Sequence, residues 1–197
     1  DAIVQGWYPG AQGGAAIARI LFGDANPEGK LPVTFYRTAE ELPAFEDYSM
    51  KGRTYRYMKQ DALYPFGYGL SYTDYTYADA MLVSDDIRGE KGVVLQAQVT
   101  NAGAVDGIET VQVYVGLERE DAPNPQLKKI VKVPLKAGET KKIEAVLPRE
   151  AFMLYDEKGE HVLNPGTYHI YVGGSQPDAR SRELTKKEVC HLQITLD

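Results

Sequence analysis

The stretch "VLQAQVTNAGAVDGIETVQVYVG", residues 94–116, decides the fold of this chain. Apolar side chains alternate with polar ones on both sides of a central turn that contains two glycines. Because successive side chains of a strand point to opposite faces, this alternation predicts two half-buried β-strands. The turn signal "NAGAVDG" between them predicts an antiparallel pair. The residues that we expect to point inward are Leu95, Ala97, Val99, Val111, Val113 and Val115.

The same alternation continues through the second half of the chain. It recurs in "ADAMLVS" (78–84), "IVKVPLKAG" (130–138), "KKIEAVLP" (141–148), "GTYHIYVGG" (166–174) and "CHLQITL" (190–196). Seven short strands separated by turns are typical of an antiparallel β-sandwich of the immunoglobulin or fibronectin type III kind. Cys190 is the only cysteine, and the single tryptophan, Trp7, lies outside this region, so the paired cysteines and core tryptophan of antibody domains are absent.

Residues 1–36 have an α/β pattern instead. The apolar spacing in "QGGAAIARILFG" (12–23) predicts a helix, and Gly23 is suited to end it. "AIVQGWYP" (2–9) and "LPVTFY" (31–36) predict a strand on either side. A strand–helix–strand unit of this size cannot bury its own apolar faces. We therefore expect it to be the C-terminal piece of an α/β domain, and the chain to be part of a longer protein.

Residues 37–78 form a long connection between this piece and a β-sandwich at 79–197. The connection holds eight of the fourteen tyrosines, five of them in "LYPFGYGLSYTDYTY" (63–77), and shows no sustained periodicity. Tyrosine buries a large ring while its hydroxyl still finds a hydrogen-bond partner. The segment is therefore expected to be ordered and to lie across other surfaces, either as packing between two units or as a platform for sugars.

Composition excludes several classes of function. The net charge of -6 argues against nucleic acid, and no apolar run reaches the roughly 18 residues that a membrane span needs. The glycines of "GAQGGAA" lack the phosphate-binding pattern, so no nucleotide or other cofactor is predicted. The histidines, at 161, 169 and 191, have no metal-ligand spacing along the chain, so no metal site is predicted. The compartment stays open between bacterial cytoplasm, periplasm and secretion.

Four strings in a fixed order carry a family resemblance. They are "AIVQGWYPGAQGGAAIARILFGDANPEGKLPVTF" (2–35), "GRTYRYM" (52–58), "LYPFGYGLSYTDYTY" (63–77) and "VTNAGAVDGIETVQVYV" (99–115). Together they resemble the C-terminal portion of glycoside hydrolase family 3, which comprises β-glucosidases and β-xylosidases. The stretch "EDYSMKGRTYRYM" (46–58) looks more like the β-xylosidase and arabinosidase branch.

The resemblance implies an enzyme with a (β/α)8 barrel, an α/β sandwich domain and a fibronectin type III-like domain. It implies a retaining, exo-acting β-glycosidase that removes terminal non-reducing sugars from an oligosaccharide. In the family the nucleophile is an aspartate on the barrel, and the acid/base is usually a glutamate earlier in the α/β sandwich domain. Both would lie outside this chain, whose expected partner is that missing portion; a homodimer is also open.

Six residues are candidates for contact with substrate. Glu46 and Asp47 are the most tempting carboxylates, beside Arg53 and Arg56, because glycoside hydrolysis needs two carboxyl groups. The competing interpretation is that these charges pair with one another and pin the loop. The arginines and Tyr55 of "GRTYRY" suit a sugar rim or an inter-domain seam equally. The last candidate is Trp7, as a stacking platform or as interface packing.

A different class of function is a non-catalytic module that binds carbohydrate or another domain. A carbohydrate-binding module would present a row of exposed aromatic side chains on one face of the sandwich. The side chains expected to face outward, Gln112, Tyr114, His169 and Tyr171, make only a thin row. A pure inter-domain or subunit interface is the third possibility, and it predicts that the tyrosine-rich connection is largely exposed when this chain stands alone.

Overall fold

The computed structural model describes residues 2–197, and within them it contains three α-helices and nine strands. No helix in this range is long and apolar enough to cross a membrane. Two short 3-10 helices occur at Ala39–Glu41 and Arg149–Phe152. The other elements are α1 (Gly13–Leu21), α2 (Thr54–Tyr57), β1 (Tyr75–Asp85), β2 (Val93–Asn101), β3 (Gly107–Leu117), β4 (Gln126–Leu135), β5 (Thr140–Leu147), β6 (Leu154–Tyr155), β7 (His161–Val162), β8 (Gly166–Gly173), α3 (Ala179–Thr185) and β9 (Cys190–Leu196).

Seven of these strands form a β-sandwich, which confirms the predicted fold class. One sheet has the order β1-β2-β5 and the other β4-β3-β8-β9, with antiparallel pairing throughout. This is the strand arrangement of a fibronectin type III domain. The short strands β6 and β7 make a separate two-stranded ribbon that the alternation pattern did not predict.

The core lies between the two sheets and is built from the alternating residues. On β2 every second side chain from Val93 to Val99 is buried, as the burial pattern of the strand shows. Facing them, Val111 and Val113 of β3 are fully buried. Full burial of a valine or leucine contributes about 1.5–3 kcal/mol, so this layer is the main stabilising element of the domain.

Two side chains of β3 lie on the outer face of the sheet, as the alternation predicts, but they are not exposed to solvent. Gln112 and Tyr114 point away from the core, and the expectation that they face solvent is wrong, since they are 2% and 0% exposed. The connection crosses the outer face of the four-stranded sheet and covers both. Alternation identifies the face of a sheet on which a residue lies, but not what packs on that face.

The first 36 residues contain the predicted helix, but the flanking segments are extended chain and not regular strands. Residues 2–9 have no ladder partner among the described residues, and a strand exists only through hydrogen bonds to a neighbour. Residues 31–35 run antiparallel to residues 63–68. Backbone bonds of 2.7–2.9 Å join them at Leu31 and Phe35, with one isolated bridge between Phe35 and Tyr64.

A valine pair tests the assignment of the core. Replacing Val99 by alanine should lower the free energy of unfolding by about 2 kcal/mol, because it removes buried methyl groups and leaves a cavity. The matched control is Val83→Ala on β1, where the side chain is 54% exposed and the change should stay within about 0.5 kcal/mol. Urea denaturation measures both variants, and equal losses would contradict the assignment.

Candidate functional site

Three aromatic rings join the connection to the sandwich, and we call them the aromatic seam. The ring of Tyr55 stacks on Phe66 with 4.1 Å between centroids and 9° between planes. The same ring meets Tyr114 of β3 edge-on, at 6.3 Å and 84°. The hydroxyl of Tyr55 accepts a hydrogen bond of 3.2 Å from the backbone N–H of Leu127 at the start of β4. Tyr55 is therefore held on the sandwich at both its ring and its hydroxyl.

A buried amide lies beneath the aromatic seam. The side chain of Gln112 donates hydrogen bonds to the carbonyls of Gly67 in the connection (2.9 Å) and Gly174 after β8 (3.0 Å). Its carbonyl oxygen accepts from the hydroxyl of Tyr114 at 2.6 Å. Burial, with Tyr55 nearby, raises the pKa of Tyr114 far above the ordinary value, so this hydroxyl stays protonated as a donor.

The turn between β3 and β4 fixes the other end of the seam. The side-chain amide of Asn124 donates to the carbonyls of Tyr55 (2.9 Å) and Met58 (2.8 Å). Its backbone N–H donates to the carbonyl of Arg56 at 2.8 Å. One residue of the sandwich thus satisfies three carbonyls of α2 and its end, which fixes the backbone of the "GRTYRYM" stretch.

A polar cluster anchors the connection at a second point. Tyr77 of β1 donates its hydroxyl to the buried carboxylate of Glu109 at 2.6 Å, and the ammonium of Lys30 donates to the carbonyl of Gly69 at 2.9 Å. Burial is the main cause that raises the pKa of Tyr77 well above its usual range, and the carboxylate of Glu109 raises it further. Burial lowers the pKa of Lys30, and the charge of Glu109 opposes that shift.

The two candidate carboxylates, Glu46 and Asp47, both lie exposed at the tip of a loop. The carboxylate of Asp47 accepts the backbone N–H of Ser49 at 2.8 Å. This hydrogen bond is the main cause that lowers the pKa of the Asp47 carboxyl. The hydroxyl of Ser49 and the charge of Arg53 lower it further. Asp47 is therefore ionised at neutral pH and cannot serve as a general acid, which needs a raised pKa.

The two candidate arginines differ in their contacts. The guanidinium of Arg53 donates to the backbone carbonyl of Asp47, so it closes the loop through the main chain and not through the carboxylate. Arg56 is exposed, and among residues 2–197 it forms no ion pair. Between them Thr54 has a φ of 55°, a conformation that costs a β-branched residue about 1–3 kcal/mol.

The last candidate, Trp7, is the first of four aromatic rings in a second row. Its ring lies 6.4 Å from Phe35, which meets Tyr64 edge-on at 6.4 Å, and Tyr64 stacks on Tyr68 at 5.7 Å. Trp7 is 47% exposed. The structure thus brings Tyr55, Arg53 and Asp47 into one segment and places Trp7 with a different aromatic group.

A cavity of about 270 Å³ opens beside the seam, between the connection and the segment before α3. Its lining includes Tyr55, Asn124, Gln176 and two carboxylates, Asp61 and Asp178. The carboxylate of Asp178 is already committed as the N-cap of α3, because it accepts the N–H and the hydroxyl of Ser181 at 2.8 and 2.7 Å. The cavity therefore does not offer the pair of free carboxyl groups that glycoside hydrolysis requires.

One arrangement is invisible in the linear sequence. His169 of β8 and His191 of β9 are in contact on the outer face of the four-stranded sheet, whereas His161 lies on β7. Among residues 2–197 no three His, Cys, Asp or Glu side chains form a metal-binding group. Only the register of β8 and β9 could have predicted the histidine pair.

Family models match two parts of the chain. The model described as the glycosyl hydrolase family 3 C-terminal domain matches residues 1–72, and a fibronectin type III-like domain model matches residues 109–176. The first match spans the helix-containing N-terminal segment and most of the connection, and the second lies within the sandwich. The aromatic seam lies between these two parts, since Tyr55 and Phe66 belong to the first match and Tyr114 to the second.

Known proteins are similar over nearly the whole chain. A xylan 1,4-β-xylosidase of Xylanibacter ruminicola is 45% identical over 94% of the chain and 21% of its own length. A periplasmic β-glucosidase of Salmonella typhimurium is 35% identical over 88% and 24%. The crystal structure of a Bifidobacterium adolescentis GH3 β-glucosidase superposes with a TM-score of 0.78 at 30% identity, over 97% and 29%. The chain spans between a fifth and a third of the length of these relatives.

A glycine pair tests the seam. Gly67 and Gly138 have φ values of 78° and 73°, so alanine is strained at both, by about 1 kcal/mol. At Gly138 an added Cβ meets nothing within 4 Å, but at Gly67 it would lie 2.3 Å from the Gln112 carbonyl oxygen and 2.6 Å from the Tyr114 hydroxyl. Gly67→Ala should therefore lose about 1–3 kcal/mol more than Gly138→Ala in urea denaturation.

The same variants should differ in proteolysis. Trypsin should cleave the connection faster in Gly67→Ala than in Gly138→Ala, because the connection must move off the sheet to make room for the methyl group. Equal unfolding free energies and equal cleavage rates would show that the connection is not held at Gly67.

Proposed function

The chain belongs to glycoside hydrolase family 3, and on this premise we propose that it is the non-catalytic C-terminal part of a β-xylosidase-type enzyme. The full protein would remove terminal non-reducing β-linked sugars from oligosaccharides with retention. The sandwich would hold the end of the α/β domain in place through the connection. β-Glucosidase is the alternative activity, since relatives of both names match the chain.

The aromatic seam is the observation that carries this proposal. Gln112, Asn124 and Tyr114 of the sandwich together hold the connection at Gly67 and at Tyr55. The loop that contains Glu46, Asp47 and Arg53 is thereby supported by the sandwich. A rigid support under an exposed polar loop is the arrangement by which a scaffold positions groups beside an active site.

A second observation is a set of seven exposed apolar side chains in the first fifty residues, which we call the N-terminal apolar face. Soluble proteins rarely expose such a set unless it contacts a partner. We assign that partner as the preceding part of the same longer protein, because the relatives are about four to five times longer than their matched segments. The face comprises Ile3, Val4, Tyr8, Leu21, Phe22, Phe45 and Tyr48.

The local carboxylates support a non-catalytic role. Retaining glycosidases need one carboxyl group with a raised pKa and a second about 5–5.5 Å from it. Asp47 has a lowered pKa, and Asp178 caps α3. By resemblance to the family, the nucleophile and the acid/base belong to the barrel and to the earlier part of the α/β domain.

A carbohydrate-binding module is the second candidate function, and one observation opposes it. Of the four side chains expected to form an outward row, Gln112 and Tyr114 are buried under the connection. Tyr171 is left with His169 and His191 beside it, in a small patch on β8 and β9. One tyrosine ring gives a sugar chain much less stacking area than a row of aromatic rings.

The catalytic claim is tested with aryl glycosides. The 197-residue chain should hydrolyse neither aryl β-xyloside nor aryl β-glucoside above the buffer rate, because it lacks a competent carboxyl pair. Glu46→Gln and Asp47→Asn should leave this baseline unchanged. Turnover that disappears in either variant would overturn the proposal. Saturable binding of xylo-oligosaccharide without turnover would favour the carbohydrate-binding module.

The N-terminal apolar face is tested by one aromatic residue in two settings. Phe22→Glu should change the unfolding free energy of the 197-residue chain by no more than about 0.5 kcal/mol, since Phe22 is 84% exposed. In the full-length gene product the same change should destabilise the protein by about 2 kcal/mol or more, because it would bury a charge. The matched control is Tyr155→Glu, an exposed ring on β6. Equal effects of the two changes in the full-length protein would refute the docking assignment.

A further inference from the structure

Two histidines meet on the outer face of the four-stranded sheet, on the two strands that follow β3 in the sheet order, and Tyr171 beside them is the register partner of Tyr114 in the aromatic seam. The register pairs His169 with Gln193 and Tyr171 with His191, so the two histidines are diagonal neighbours on β8 and β9. Their ring nitrogens face each other, with 2.9 Å between Nδ1 of His169 and Nε2 of His191. One shared proton accounts for this distance, and neither nitrogen bonds to the backbone.

A carboxylate fixes the tautomer of the first ring. Nε2 of His169 lies 3.3 Å from the carboxylate of Glu118, just after β3. Because the carboxylate can only accept, Nε2 carries the proton and Nδ1 presents its lone pair towards His191. Histidine ligands of metals usually donate the N–H of their second ring nitrogen to a carboxylate, a backbone carbonyl or water.

A tyrosine fixes the plane of the second ring. The ring of Tyr171 stacks on His191 with 4.8 Å between centroids and 15° between planes. The side chain of His169 is only 23% exposed. Both imidazoles are therefore held in place before any ligand arrives.

We propose that His169 and His191 form a two-histidine site for a divalent late first-row metal ion. The ion would take the place of the shared proton and would be bound by Nδ1 of His169 and Nε2 of His191. The proton that leaves Nε2 of His191 would move through solvent to Nδ1 of the same ring. Metal–nitrogen bonds of about 2.0–2.1 Å at a tetrahedral angle place two ligand nitrogens roughly 3.3 Å apart. From the observed 2.9 Å the nitrogens must separate by roughly 0.4 Å, and both rings must turn so that their lone pairs converge on the ion.

The donor set determines which ions bind. Imidazole nitrogen suits Cu²⁺, Ni²⁺ and Zn²⁺, whereas Mg²⁺ and Ca²⁺ prefer oxygen. Among the divalent ions Cu²⁺ binds such a site most tightly. Two protein ligands leave the other positions to water, so the ion exchanges with solvent and remains open to a further ligand.

Titration of the 197-residue chain with Cu²⁺ tests the proposal. Calorimetry should give one site, and His169→Gln or His191→Gln should weaken it more than about tenfold, since each removes a direct ligand. Glu118→Gln keeps both ligands but removes the orienting charge, and about tenfold weakening is expected. The matched control is His161→Gln, because His161 also stacks on a tyrosine, Tyr155, but has no second histidine beside it.

A measurement on the unaltered chain guards against misfolded variants. Addition of Zn²⁺ should shift the imidazole NMR signals of His169 and His191 and leave those of His161 in place. The proposal is overturned if Cu²⁺ does not bind or if affinity survives in the double variant His169→Gln/His191→Gln. It is also overturned if His161→Gln weakens binding as much as the changes at the pair, or if Zn²⁺ moves only the His161 signals.

Discussion

The arrangement of the chain depends on the hydrogen bonds of one side-chain amide, that of Gln112. It lies on the outer face of β3, fully enclosed, and bonds at once to the connection at Gly67, to the end of β8 at Gly174 and to the hydroxyl of Tyr114. A buried amide without partners costs about 1–3 kcal/mol, so the sheet face is stable only while the connection covers it. The sandwich and the connection are therefore one structural unit.

This constraint explains the conformation of the tyrosine-rich segment. Once Gly67 is fixed, Phe66 lies against Tyr55, and Asn124 can reach the carbonyls at the end of α2. The loop before α2 follows, because Arg53 closes it onto the carbonyl of Asp47. The tyrosines act mainly as packing between the two parts that the family models match, and the polar tip of the loop is what they support.

The sequence was sufficient to predict the sandwich, because an exposed-to-buried alternation such as that from Val93 to Val99 reports the local environment of each residue. It was insufficient wherever a residue far along the chain decides the outcome. Gln112 appears solvent-facing by its period, yet residues about 45 positions earlier cover it. The contact between His169 and His191 depends on strand register, which alternation does not determine. The strand expected at 2–9 failed for the same reason, since a strand requires a partner.

The anchoring of α2 lowers the entropy cost of binding for any surface that contacts this loop. Asn124 and the stacked Tyr55 hold the base of the loop, while Phe45 and Tyr48 at its tip stay exposed. A tip tethered in this way samples a small volume, so its effective concentration at a neighbouring surface is high. The loop loses its conformational entropy when the sandwich folds. A second surface can therefore bind the tip without a further entropy cost for ordering the loop.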